Sequence, residues 1–447
     1  MNINSMPAIP KTILILLVIL PLSQIHAAEY EQPPTLSADI LFPDIELTKD
    51  HYKVQKNVPT DGFLTRATIK SDFGTFTAAG PGMLQVRLNE INALLKLETL
   101  EASEEFKRGA KESTSEKAGA FKQLYEKPKE TAAGIGEGVN RFFKRTARAA
   151  KTGIQTIDDV YHDRTPGSSG TAGPGAKLPG NDIMETAVEK ESKYKKAAQA
   201  SGETALNILG FDDSRRKLAK RLGVDPYTTN PVLDEKLDEV TWSIFAGDLG
   251  IDIATSLIPG SIVVTTSTLA TNLVWDTPPG DLRLRIEKTL LGLGIQQSQV
   301  DQLLRHRMYP LSYQAAFSNA MESLGKLDGI ATVMPLALTV TSVGQARYMV
   351  NSLRMLASYH ESVKPLKSIT VDGTVVARNA DEVNIIVGPL DYLSWTSVID
   401  NFISKDRFKG QKNELHIAGK MTDMATERLQ KRAWVLHENS KLFSFTR

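Results

Sequence analysis

The sequence contains no cysteine. That excludes a disulfide framework, thiolate zinc and iron–sulfur sites, a cysteine nucleophile and a lipid-modified cysteine. It also carries almost no net charge, with 53 Lys plus Arg against 52 Asp plus Glu over 447 residues. Attraction to nucleic acid through a global field needs a basic surface that releases counterions, so neutrality argues against a nucleic-acid partner. Assembled catalytic signatures are missing as well: there is no G-x-S-x-G elbow, no G-x-x-x-x-G-K-[ST] loop and no EF-hand ligand series. Gly134-Ile135-Gly136-Glu137-Gly138 lacks the preceding strand of a dinucleotide fingerprint. Histidine is sparse. Beyond residue 27 it occurs at His51, His162, His306, His360, His416 and His437, with no pair at i, i+4 and no HExxH. The pattern therefore predicts no metal site and no cofactor.

What is present begins at the N-terminus. Lys11 is the only charged side chain before Glu29, and the apolar run from Thr12 to Leu22 is followed by Ser23-Gln24-Ile25-His26-Ala27-Ala28. A run of that length suits the ~7 to 15 residues of a secretory signal core and falls short of the roughly 20 needed to span a bilayer. A signal peptide over residues 1–27, cut after Ala27, is expected. Its removal takes Lys11 with it and leaves a neutral chain. The expected location is the periplasm or the extracellular space, with peripheral membrane association.

A chain of 447 residues exceeds the ~250 to 300 at which one hydrophobic core stops growing, so several domains are expected. The fold class read from the pattern is α+β, multidomain and mainly α. Residues 28–110 read as an N-terminal β-hairpin plus a long helix. Phe63–Ile69 and Thr75–Ala79 look like strands joined through Ser71-Asp72-Phe73-Gly74, and Leu84, Leu88, Ile91 and Leu95 then recur at helical spacing. Residues 111–162 form a charged segment with a basic amphipathic helix, and 163–182 a flexible Gly/Pro linker too poor in large apolar groups to offset its ordering entropy. Residues 183–363 read as an all-α helical domain, in which Tyr313, Phe317, Ala320 and Leu324 follow 4, 3, 4 spacing. Residues 364–447 read as a small α/β domain. Asp372-Gly373 signals a hairpin, and strands at Asn384–Val387, Glu414–Ile417 and Trp434–His437 alternate with helices at Leu390–Ile403 and Thr422–Lys431, which implies parallel pairing.

The basic amphipathic helix, residues 134–157, is the strongest functional signal. At ~100° per residue from Val139, the side chains of Phe142, Phe143, Ala150, Ile154 and Ile157 fall within about 60° of one direction. Arg141, Lys144, Arg145, Arg148 and Lys151 fill roughly 120° to 240°. Such a face suits an anionic membrane surface, with the phenylalanines in the acyl boundary, or an envelope protein partner. A solvated helix whose phenylalanines dock on its own domain accounts for the same pattern.

Asp248 and Asp252, four apart in apolar surroundings, are the candidate catalytic carboxylates. Capping, or pairing with Arg283 or Arg285, explains them without chemistry. The stretch Ile253–Trp275 holds no charge but is interrupted at Pro259-Gly260, and the run 329–346 contains Pro335; both read as buried helices rather than spans. Together these features lean away from an enzyme and toward an exported binding protein. A hydrolase using carboxylates of the helical domain, or a membrane-inserting effector, are the alternatives.

Overall fold

A computed structural model describes residues 30–111, 202–246, 250–258 and 272–442. The expected signal peptide, the basic helix and the Gly/Pro linker lie outside the described residues.

The chain enters through strand β1 (Thr35–Ser37), helix α1 (Ala38–Leu41), and strands β2 (Thr48–Lys49), β3 (Tyr52–Val54) and β4 (Asn57–Pro59). Strands β5 (Arg66–Ser71) and β6 (Gly74–Ala79) form the hairpin that the sequence announces, but it is one end of a four-stranded antiparallel sheet of order β2-β3-β5-β6, and β1 pairs with β4. Period-two burial drives this layer: Tyr52 and Val54 point inward around exposed Lys53, as do Ala67 and Ile69 in β5. Helix α2 (Gly80–Ala102) lays Leu84, Leu88, Ile91, Leu94 and Leu97 into the same core, while Leu95 faces out. After α3 (Glu104–Lys111), helices α4 (Gly202–Leu222), α5 (Pro231–Ala246) and α6 (Ile251–Ser256) add Leu218, Leu233, Leu237, Val240 and Ala254 to that core.

A second core is built by α7 (Asn272–Asp276), α8 (Pro279–Gly292), α9 (Gln297–Leu304), α10 (Leu311–Leu324), a 3-10 turn (Ile330–Thr332), α11 (Val333–Leu338) and α12 (Val343–Ser362). Tyr313, Phe317, Ala320 and Leu324 are all buried, as their spacing requires. The apolar run 329–346 is broken into the 3-10 turn, the six-residue α11 and the start of α12, with Ile330, Val333, Met334 and Ala337 in the core. None of the described helices is long and apolar enough to cross a membrane.

The C-terminal elements are β7 (Leu366–Val371), β8 (Val375–Asn379), β9 (Asn384–Gly388), β10 (Tyr392–Leu393), α13 (Ser397–Ile403), β11 (Asn413–Ile417), β12 (Lys420–Met421), α14 (Asp423–Gln430) and β13 (Trp434–His437). They form a five-stranded sheet of order β13-β11-β9-β8-β7, antiparallel across β7-β8-β9 and parallel across β9-β11-β13. Both faces are covered, which is why β9 is buried throughout. Ile385 and Val387 point into the second core beneath α12, whereas Ile386 points into a third core with Trp395, Phe408, Leu429 and Trp434. Helix α14 begins as expected, with the Thr422 hydroxyl accepting from Ala425 N. Between Leu390 and Ile403 the single helix expected from the sequence is corrected. Tyr392 and Leu393 form a strand beside Lys420 and Met421, Tyr392 N and Ser394 N donate to the carbonyls of Phe63 and Gly62, and the helix starts only after Thr396. Partners distant in sequence, Gly62 and Phe63 on one side and Lys420 and Met421 on the other, override the local helical pattern.

The expected fold class is also corrected. The molecule is a mixed α+β protein with several sheets rather than a hairpin-helix unit, an all-α centre and a separate small α/β unit. No all-α body exists among the described residues: α4, α5 and α6 complete the core of the N-terminal sheet, and α7 through α12 cover one face of the C-terminal sheet. Helical periodicity shows that a face is apolar but not which surface covers it.

The corner between α4 and α5 holds a buried carboxylate. Asp225 accepts from Tyr227 N at 2.8 Å and is 8% exposed. Burial raises its pKa from 3.8 to about 6, against the hydrogen bond from Tyr227 N that favours the charged form. The folded state therefore holds this proton more tightly than the unfolded chain, so the associated stability is complete below about pH 4 and lost as pH rises through about 6. The two-unit difference corresponds to about 3 kcal/mol. In urea titrations, the stability of Asp225→Asn minus that of the unsubstituted protein is expected to rise by about that amount between pH 4 and pH 7. A flat difference would show that water reaches the carboxylate.

Candidate functional site

The two sets of residues singled out by the sequence meet different ends. Arg141, Phe142, Phe143, Lys144, Arg145, Arg148 and Lys151 lie outside the described residues, as does Asp248. Asp252 is exposed in the first turn of α6. A groove of about 200 Å³ opens between α2 and α5, lined by Phe73, Leu94, Glu98, Val232, Glu235, Lys236 and Glu239. It contains neither aspartate nor a histidine, and Lys236 is already paired with Glu101 and Glu239.

A cluster that the sequence did not announce forms on the parallel part of the C-terminal sheet. Strands β11 and β13 run side by side in a register that sets His416 against His437. Glu414, two residues before His416, shares its face because side chains alternate along a strand. Ile385 and Val387, the β9 partners of Glu414 and His416, lie on that face under α12. The helical cover thins toward the β13 edge, where Val435 is 52% exposed. The cluster thus sits half inside the second core and half in solvent: side-chain exposures are 7% for His416, 25% for Glu414 and 43% for His437.

Glu414 Oε2 lies 3.3 Å from His416 Nε2 and 3.7 Å from His437 Nε2. The two imidazoles stack with centroids 4.0 Å apart and planes 10° from parallel. On the other side Tyr359 of α12 meets the His416 ring edge to face at 5.4 Å, and its hydroxyl accepts from Asn379 Nδ2 at 3.2 Å. Burial, reinforced by the neighbouring His437, pushes the pKa of His416 down to about 4 against the pull of Glu414. Burial likewise raises the Tyr359 phenol, with Glu414 adding to it. The lowered pKa keeps the His416 imidazole neutral at neutral pH, next to Glu414 of the same strand and to His437, the last residue of β13. Among the described residues, it is also the one group of three His or acidic side chains whose donor atoms all lie within 4.8 Å of one another. Sequence reading missed it because His416 and His437 are 21 positions apart. The usable signal was Glu414-Leu415-His416 in a strand, with a second histidine ending the next parallel strand.

No protein-family model, curated protein or solved structure matches the chain.

Proposed function

We propose that this chain is an exported, non-enzymatic envelope protein that holds itself on an anionic membrane surface through the basic face of residues 134–157. The observation that carries the reading is the segregation of Arg141, Lys144, Arg145, Arg148 and Lys151 from Phe142 and Phe143 on a helical projection of an otherwise neutral chain. Each cation near an anionic surface contributes about 1 kcal/mol, enough in fives for reversible attachment without a spanning helix. Two structural facts support it. Phe106 and Leu218, which lie on either side of the stretch that includes residues 134–157, are buried in the same core, so the described chain on both sides of that stretch belongs to one body. The carboxylate candidate Asp252 is solvated, which gives the hydrolase alternative no buried acid on that helix.

The protein is expected to float with phosphatidylglycerol-containing vesicles, and not with purely zwitterionic ones, at low salt. The charge reversal Arg141→Glu, Lys144→Glu, Arg145→Glu, Arg148→Glu is expected to weaken that binding by at least about 100-fold. Flotation unchanged by the reversal would remove the membrane reading, and reversal-sensitive capture by an envelope protein in place of vesicles would transfer the face to a protein partner.

A further inference from the structure

We propose that Glu414, His416 and His437 form a binding site for one divalent first-row transition cation, with Zn²⁺ as the reference ion. The site is independent of the membrane face and rests on the fold of the C-terminal sheet. Two imidazole nitrogens and one carboxylate oxygen are a donor set suited to Zn²⁺, Cu²⁺ or Ni²⁺, whereas Mg²⁺ and Ca²⁺ favour shells made of oxygen. Bonds of ~2.0 to 2.1 Å to a tetrahedral ion imply edges of about 3.3 Å between neighbouring donor atoms. The separations of Glu414 Oε2 from the two Nε2 atoms, 3.3 and 3.7 Å, are already at or near that value. Little backbone movement is then needed, because β-pairing of His416 with His437 fixes where both side chains start.

One adjustment is required. The rings are nearly parallel, so an ion in the plane of one lies out of the plane of the other. His416 is buried and held by Tyr359, but His437 is open to solvent and turns about its soft Cβ–Cγ torsion. Coordination therefore has a buried anchor and a mobile closing ligand. Three protein ligands leave a fourth position facing the exposed β13 edge, available to water or to a ligand supplied by another molecule.

The test uses the untagged full-length protein, freed of metal by chelator and titrated calorimetrically with ZnCl₂. Binding at this site that persists in a large excess of MgCl₂ and CaCl₂ is expected, together with a rise in Tm on adding Zn²⁺. Affinity is expected to fall at least about tenfold in His437→Ala and in Glu414→Gln, since even outer-shell changes cost that much. Both residues are partly exposed, and metal-free Tm and circular dichroism of the variants establish that they fold; His437→Gln, closer in size, replaces His437→Ala if the latter does not. Cobalt(II) added in place of zinc is expected to give visible absorption bands that the variants lose. Absence of Zn²⁺ binding, or binding of equal affinity in the unsubstituted protein and the folded variants, would overturn the proposal: the first means that Glu414 and His416 share only a proton, and the second puts the ion on other side chains.

Discussion

Replacing Glu90 with alanine is expected to destabilise the protein by about 3 to 5 kcal/mol, the range seen when one partner of a buried charge pair is removed. Glu90 is a carboxylate in the middle of α2 and only 3% exposed. Its burial is tolerated because three groups surround it. Arg87 Nη1, one turn earlier, pairs with Oε2, Asn230 Nδ2 donates to the same oxygen at 3.1 Å, and the Thr228 hydroxyl donates to Oε1. Arg87 also reaches the Thr229 hydroxyl at 3.2 Å. The network therefore ties the N-terminal unit to the corner before α5. Asn230 serves it twice, since its Oδ1 caps that helix by accepting from Val232 N at 3.1 Å, ahead of Pro231 at the first helical position.

Alanine at position 90 would leave the Arg87 charge, 13% exposed, without a counter-ion, and two donors without acceptors. Glu90→Gln keeps the shape but not the charge, so a smaller loss, about 1 to 3 kcal/mol, is expected. Urea denaturation of both variants checks the ranking. A loss below about 1 kcal/mol for alanine would show that water enters the corner and solvates Arg87.

Gly329→Ala is the second large effect, with an expected loss of about 4 kcal/mol from two separate sources. Gly329 precedes the 3-10 turn with φ +75° and ψ 6°, a left-handed conformation that costs a side-chain-bearing residue about 1 to 2 kcal/mol. A Cβ there would also stand 2.2 Å from the Ile369 carbonyl oxygen, inside any permitted contact. Relief requires backbone to move, and the backbone at hand is held: Asp328 N donates to Lys367 O at 3.2 Å and Ile369 N to Asp328 O at 2.8 Å. Overpacking of this kind adds about 1 to 3 kcal/mol. Gly294→Ala separates the two sources, because Gly294 has φ +83° but nothing within 4 Å of its would-be Cβ. It is expected to cost only the conformational part, about 1 to 2 kcal/mol. Equal losses at 329 and 294 in thermal denaturation would show that the contact with Ile369 relaxes freely.

The local chemistry of the chain is legible wherever neighbours in sequence decide it. Asp372-Gly373 lies between β7 and β8, with Gly373 at φ +75°, and Thr422 caps α14. Tyr313, Phe317, Ala320 and Leu324 point inward, and the strands at 384, 414 and 434 are parallel. The absence of cysteine and the collection of cations in residues 141–151 are likewise facts of sequence alone. Strands β1 through β4 were hidden because they are two or three residues long and drawn from polar, proline-containing sequence, so no alternation has room to appear. The strand at Tyr392–Leu393 was hidden for a different reason: its partners are Lys420, Met421 and the backbone of residues 62 and 63.

Tertiary structure alone decided which helices share a core and which side chains meet at the sheet edge. A helical stripe states that a surface will be covered, and the same stripe on α5 or on α10 is compatible with many covers. The N-terminal sheet took the first and the C-terminal sheet received the group containing the second. The same limit applies to Glu414, His416 and His437. Sequence puts the first two on one face of a strand, but the third joins them only through the β11–β13 register, and register follows from the burial of whole faces in three dimensions.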